Sequence, residues 1–114
     1  MNESVFSEFA IKRKNYITAI EGLQPLDLVE ANDIDETLKW LYTAPAIHKP
    51  HNMQQHLGVI LVVLSQDRKK TFVINHKKAQ LWLPPGGHVD EGLSFREAAI
   101  LEMNEELHSE VLFI

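Results

Sequence analysis

The sequence predicts an α/β (α+β) domain with a helical segment in front of it, and three features of the 114-residue chain support this class. Apolar residues recur at helical spacing in the first third, β-branched runs separated by polar turns begin at residue 57, and a capped helix stands near the end. We expect one domain overall, in which 1–50 is an N-terminal helical segment and 51–114 holds the strands, a glycine loop and the last helix.

Two helices are predicted in the first segment. Residues 5–22 carry apolar side chains, among them Phe9 and Tyr16, at roughly helical spacing, and Gly22 ends the pattern. Asp33-x-x-Glu36 has the form of a capping box and predicts the start of a short helix that ends before Pro45. Residues 44–55 are predicted to form a loop.

The strands are predicted from short apolar runs. Residues 57–64 show no alternation of polar and apolar residues, which indicates a strand buried on both faces. Residues 71–75 predict a second strand, antiparallel to the first because the connection is short. Trp82 is interpreted as a core residue, and Pro85-Gly86 is typical of the centre of a type II turn.

The last helix has the clearest signal. Ser94-x-x-Glu97 is a capping box, so Ser94 is expected at the N-cap of a helix from Phe95 to about Leu107. Residues 111–114 are all apolar and predict the beginning of a further strand.

Composition excludes several classes of protein. The chain has no cysteine, so a disulfide scaffold, a thiol nucleophile and Cys-ligated zinc are excluded. Its net charge of −5 argues against a stable complex with nucleic acid, whose phosphates attract basic surfaces. The longest apolar run, 57–64, is far shorter than the about 20 residues of a membrane-spanning helix, and the N-terminus lacks the basic start of a secretory signal. We therefore expect a cytoplasmic protein with no membrane partner.

The chemistry is predicted on the last helix. Glu102, Glu105 and Glu106 fall within a sector of about 100° on a helical wheel, away from the apolar residues Met103 and Leu107. Three carboxylates so close repel one another, and a divalent cation such as Mg²⁺, which prefers oxygen ligands and substrate phosphates, would remove that cost. The alternative is a structural domain whose acidic side chains are merely solvated.

A second group of candidates precedes this helix. Gly86, Gly87 and His88 form a glycine-rich stretch in which the backbone can approach an anionic ligand closely. His48, His51 and His56 have spacings that allow a metal site, although histidines in such a loop are usually polar surface residues.

The stretch from Trp82 to Gly92, continued by the three glutamates, resembles the Nudix box, whose pattern is G-x5-E-x7-R-E-U-x-E-E-x-G-U with U apolar. The positions that match are Gly87, Glu102, Met103, Glu105 and Glu106. The positions that depart are Leu93 and Leu101, where the family has a Glu and an Arg, and His108 and Ser109, where it has a Gly and an apolar residue.

The resemblance implies a Nudix-like α/β/α sandwich with a mixed sheet. It also implies a hydrolase that cleaves the diphosphate linkage of a nucleoside diphosphate derivative, a nucleotide-type small molecule. Mg²⁺ or Mn²⁺ would be held by Glu102, Glu105 and Glu106, which would be the catalytic and metal residues, and Gly86, Gly87 and His88 would bind the substrate.

The departures leave alternatives open. The family fold continues after the box, so the fold is expected to be incomplete at its C-terminal side: the chain is a fragment, a naturally short member, or an oligomer such as a homodimer that completes its sheet from a partner. Replacement of the family's Glu–Arg pair by Leu93 and Leu101 favours a second functional interpretation, a non-catalytic nucleotide-binding or regulatory Nudix-like module.

Overall fold

The computed structural model describes residues 11–107, and the side chains of residues 106 and 107 lie outside the described part. These residues form helices α1 (Arg13–Glu21), α2 (Leu28–Thr43) and α3 (Phe95–Leu107), a 3-10 turn (Lys49–His51), and strands β1 (Gly58–Ile60), β2 (Ile74–His76), β3 (Leu81–Leu83) and β4 (Gly86–His88). β1 pairs with β4 and β2 pairs with β3, both antiparallel. The predicted α+β class is confirmed.

Helix α1 begins later than the sequence predicts. Ile11 is extended, and its N–H donates to the carbonyl oxygen of Gly92 at 3.1 Å, so this residue pairs with the loop before α3 instead of joining a helix. The predicted end at Gly22 is confirmed. The part of the predicted helix that covers residues 5–10 lies outside the described residues.

The predicted start of α2 at Asp33 is wrong. Asp27 is the N-cap, and its side chain accepts a hydrogen bond from the backbone N–H of Glu30 at 2.8 Å. The first turn presents Leu28 and Val29 to solvent, with exposed fractions of 87% and 71%. Because these apolar residues do not face the core, the first turn lacks the amphipathic signal by which the sequence could reveal it.

The apolar run 57–64 is not buried on both faces. Burial alternates along it: Leu57 is buried, whereas Ile60 and Val62 are exposed to 73% and 70%. Only Gly58–Ile60 forms a regular strand, and its partner is β4. The predicted antiparallel relation to the second run is confirmed at one bridge, Leu64 with Thr71.

Two predictions at the approach to the glycines are also wrong. Gly86 lies in β4 opposite Ile60 and is not among the residues with positive φ, so Pro85-Gly86 is not the centre of a type II turn. A Cβ atom on Gly86 would lie 2.3 Å from the carbonyl oxygen of Val59, so this glycine permits close strand pairing. Trp82 is 68% exposed and is not a core residue.

One apolar core joins the helical segment to the strands. Its buried members come from α1, α2, the loop after α2, the residues next to β1 and β4, and α3: Tyr16, Ile17, Leu41, Ala44, Ile47, Leu57, Val89 and Ala98. Arg13 strengthens the junction of α1 and α2, because its Nη1 donates to the carbonyl oxygens of Leu41 and Ala44 at 3.0 and 2.6 Å. The division into an N-terminal helical segment and a strand unit within one domain stays a prediction.

Among residues 11–107, no helix is both long and apolar enough to cross a membrane. The strand predicted at 111–114 lies outside the described residues.

Candidate active site at the junction of β4 and α3

Helix α3 is held at its start by the predicted capping box. The backbone N–H of Glu97 donates to Oγ of Ser94 at 3.1 Å, and the N–H of Ser94 donates to Oε1 of Glu97 at 3.0 Å. Hydrogen bonding of the Glu97 carboxylate to the backbone N–H and to the side-chain hydroxyl of Ser94 lowers the pKa of Glu97 below its ordinary value. Met103 and Ala98 are buried, so the helix is also fixed along its length against the strands. The predicted helix is confirmed from cap to end.

The carboxylate of Glu102 lies directly against the backbone of β4. A Cβ atom on Gly87 would stand 2.3 Å from Oε1 and 2.5 Å from Cδ of Glu102. No residue other than glycine leaves room for this carboxylate at this position. The structure thus brings together one predicted metal ligand and one predicted substrate-binding residue.

The other two glutamates follow on the same helix. Glu105 is exposed one turn after Glu102, while Glu106 lies in the last turn with its side chain outside the described part. Among the side chains that the structure describes, no group of three His, Asp or Glu residues is close enough to hold a metal ion. Glu102 and Glu105 nevertheless offer the carboxylate oxygens that hard divalent cations prefer. The carboxylate of Glu102 occupies the space that the missing side chain of Gly87 leaves.

His88 lies at the edge of this junction. It occupies the register position opposite Gly58 in the β1–β4 pair, and its Nε2 is 3.0 Å from Oδ1 of Asp90. The ring of His56 approaches the ring of His88 edge-on, with 6.3 Å between the ring centroids. Both side chains are partly exposed, which allows them to meet a ligand at the strand edge.

A buried polar pair lies beneath the loop between β4 and α3. The Tyr16 hydroxyl donates to the carbonyl oxygen of Leu93, and His48 Nε2 lies 3.2 Å from the same hydroxyl. Because the hydroxyl proton is used by Leu93, Nε2 of His48 must carry the proton of this second bond. The pair ties α1 and the loop after α2 to the start of α3.

Burial shifts the pKa of both members of the pair. It raises the pKa of Tyr16, assisted by the negative charges of Glu91 and Glu97. It lowers the pKa of His48, against an opposing effect of Glu91. The sequence predicted Tyr16 as an apolar-face residue, which is confirmed, but no spacing pattern links it to a histidine 32 residues later.

The loop histidines do not form a metal site. His48 is bonded to Tyr16, and the exposed His51 lies 3.8 Å from a carboxylate oxygen of Glu91. His56 is held elsewhere, with its Nδ1 donating to the carbonyl oxygen of Asn52 at 3.0 Å. The three histidines therefore have different partners, although Glu91 lies near both His48 and His51.

The two leucines that replace the family's charged pair differ in environment. Leu93 packs against the core, whereas Leu101 is 37% exposed. A charge at position 93 would be placed against apolar side chains, but one at position 101 would reach water. The loop therefore keeps its place through Leu93 and Tyr16 in the absence of that ion pair.

The comparisons with known proteins agree with this geometry. Residues 54–113, just over half of the chain, match the family model of the NUDIX domain. No curated protein and no solved structure gives a significant match. The matched range contains β1 to β4, the glycines and all of α3, so the Nudix-like fold and the resemblance drawn from the box are both confirmed. The chain belongs to the Nudix family.

Proposed function

We propose that the protein is a Nudix pyrophosphohydrolase that cleaves the diphosphate linkage of a nucleoside diphosphate derivative with the aid of Mg²⁺ or Mn²⁺. Membership of a hydrolase family supports the reaction class. The observation that carries the proposal is the position of the Glu102 carboxylate directly against Gly87. It places an anionic metal ligand beside the strand at which the diphosphate would bind.

The proposed roles follow from position. Glu102 and Glu105, together with Glu106, would hold the cation, which when bound neutralises the diphosphate and activates water. Gly86 and Gly87 would place the β4 backbone beside the cation and its diphosphate, while the space left by their missing side chains holds the Val59 carbonyl and the Glu102 carboxylate. His88, partly exposed beside Asp90, would donate to a phosphate oxygen.

A second candidate function is a non-catalytic nucleotide-binding or regulatory module. The observation in its favour is the pair Leu93 and Leu101, which removes the charged residues that orient the glutamates in the family. Leu93 preserves the position of the loop by packing, but Leu101, which stands where the family has an Arg, cannot donate a hydrogen bond to a carboxylate. Both candidates predict that the protein binds a nucleotide, but only the first predicts that it hydrolyses one.

The test is hydrolysis of ADP-ribose with Mg²⁺ or Mn²⁺, followed by chromatography of the AMP that is released. We expect the substitutions E102Q and E105Q each to lower kcat about 100-fold or more, because each removes a negative ligand without changing side-chain size. D33N is the matched control, since it removes one carboxylate from an exposed position of α2 far along the chain from the site.

The outcomes separate the two candidates. Hydrolysis that depends on the cation and is lost in E102Q and E105Q but kept in D33N supports the enzyme. Saturable binding of ADP-ribose by calorimetry with no turnover for either cation supports the binding module instead. Equal hydrolysis in all four proteins would remove these glutamates from the mechanism.

The remaining expectations stay predictions. A cytoplasmic location and a homodimer are two of them, and the third, the lack of a stable nucleic-acid complex, is supported by the net charge of −5. Exposed apolar side chains at Val62, Leu64 and Phe72 are a surface that a second copy could cover, and sedimentation velocity would measure this directly.

A further inference from the structure

A cleft of about 690 Å³ lies between α2 and residues 54–58, outside the glycine stretch and the α3 glutamates. Its walls include Trp40 and Thr37 from α2 and Gln54, Gln55 and His56 from the opposite side. This volume lies within the range of about 300–1,000 Å³ that is typical of small-molecule sites.

Both walls of the cleft are held in place. Trp40 is half-buried and packs against the core, so the part of its indole that lines the cleft is fixed. The opposite wall is ordered by Asn52, whose Nδ2 donates to the carbonyl oxygen of Ala46 at 2.9 Å and whose Oδ1 accepts from the N–H of Gln55 at 3.1 Å. The cleft is therefore formed before any ligand arrives.

The chemistry of the walls matches an uncharged planar group. An indole offers a stacking surface, and the Gln54 and Gln55 amides each offer a donor and an acceptor. The charges at the cleft, Glu36 and Lys39, lie 3.7 Å apart as an ion pair and largely cancel. A phosphate finds no net positive charge here, whereas a nucleobase finds an aromatic face and amides.

The cleft also adjoins the candidate active site. Gly58, at the end of the cleft, is opposite His88 in the strand register, and His56 places its ring edge-on to that of His88. Neighbouring strands lie about 4.8 Å apart, so a group bound at His88 is one strand away from the cleft. A nucleotide whose phosphates lie at β4 can reach the cleft with its base.

We propose that the cleft between α2 and residues 54–58 binds the nucleobase of the substrate, with the Trp40 indole as the stacking surface and the Gln54 and Gln55 amides as hydrogen-bonding groups. This inference rests on the proposed function, since it assigns one part of the same substrate. It gives the N-terminal helical segment, which lies outside the matched family range, a direct role in recognition.

The test uses intrinsic fluorescence. The chain has two tryptophans, so the substitution W82F leaves Trp40 as the single indole reporter. We expect AMP to quench this fluorescence saturably, because stacking brings the base onto the indole, and ribose 5-phosphate, which has no base, not to quench it. Quenching of equal strength by the two compounds would overturn the proposal.

Variants measure the contribution of stacking. We expect W40A to weaken AMP binding, measured by calorimetry, about 5- to 100-fold, and W40F to recover most of the loss, because phenylalanine keeps a stacking face. Y42A is the matched control: Tyr42 is an exposed aromatic residue of α2 that does not line the cleft. Since W40A also removes a side chain that packs on the core, Q55A provides a second test at an exposed position, with an expected smaller loss of affinity.

The design separates this proposal from the proposed function. If AMP quenches Trp40 fluorescence and W40A weakens AMP binding while ADP-ribose is not hydrolysed, the nucleobase site in the cleft is supported and the proposed hydrolase activity is wrong. If ADP-ribose is hydrolysed with the same KM in W40A, Q55A and Y42A, catalysis holds and the cleft assignment is wrong. A raised KM in W40A and Q55A with unchanged kcat supports both.

Discussion

Gly86 and Gly87 are neighbours in β4, yet the absence of a side chain matters at each for a different reason. A methyl group at Gly86 would collide with backbone, the carbonyl oxygen of Val59 at 2.3 Å. A methyl group at Gly87 would meet first the carboxylate at the flexible end of the Glu102 side chain. Strand pairing thus depends on the first glycine and the candidate site depends on the second.

This difference predicts opposite effects of two alanine substitutions. We expect G86A to lower the free energy of unfolding by about 1–3 kcal/mol, because backbone must move to accommodate the methyl group. We expect G87A to unfold at nearly the temperature of the parent protein but to lose most hydrolysis, because Glu102 is displaced. Thermal denaturation and the AMP-release assay measure both effects, and a stable, fully active G87A would contradict the assignment of Glu102.

His48 predicts how stability depends on pH. Burial lowers its pKa in the folded protein, with Arg13 and His51 acting in the same direction and the carboxylates of Glu91 and Asp90 opposing it. As pH falls below about 6.5, the unfolded chain binds a proton at this histidine before the folded protein does. The stabilisation is therefore present above that pH and is lost as pH falls through the folded pKa.

We expect the free energy of unfolding in urea to decrease between about pH 7 and about pH 5, and this decrease to be smaller in H48Q. H76Q is the control, because His76 lies in β2 and is not among the groups whose charges shift the pKa of His48. A pH dependence that is identical in H48Q and the parent protein would show that the burial of His48 does not govern it.

At the scale of elements, the caps show when a sequence pattern is sufficient. Ser94 and Glu97 could be predicted because both capping hydrogen bonds are local and join the two ends of the S-x-x-E pattern. Asp27 could not, because the α2 turn that it caps exposes its apolar residues. The pairing of β1 with β4 could not be predicted from the sequence either. It joins residues about thirty positions apart through backbone contacts that only glycine permits.

The two caps also give a prediction that links helix stability to function. S94A and D27A should each lower the free energy of unfolding by about 1 kcal/mol, because each leaves a helix N–H without its side-chain acceptor. Only S94A should also lower the rate of ADP-ribose hydrolysis, since Ser94 starts the helix that carries Glu102 and Glu105. Equal loss of hydrolysis in the two variants at a temperature where both are folded would argue against a special role of α3.

At the scale of the whole molecule, the predicted helical segment and the strand unit share one core. Tyr16 and His48 connect the first fifty residues to Leu93, next to the cap of α3. The sequence predicts the two segments from the spacing of apolar residues, but it could not predict this link, because a buried tyrosine and a histidine are individually ordinary. It could predict the candidate site, because the glycines and glutamates of the box lie within twenty residues of one another.

The most direct test of the account is where a paramagnetic cation binds. Mn²⁺ added in small amounts to the ¹⁵N-labelled protein broadens the backbone amide resonances nearest to it. We expect the strongest broadening at Gly86–His88 and at residues 102–106, and its loss in E102Q. Broadening centred on His51 and Glu91, or spread evenly over the acidic residues of the chain, would contradict the claim that the β4–α3 junction is a divalent-metal site.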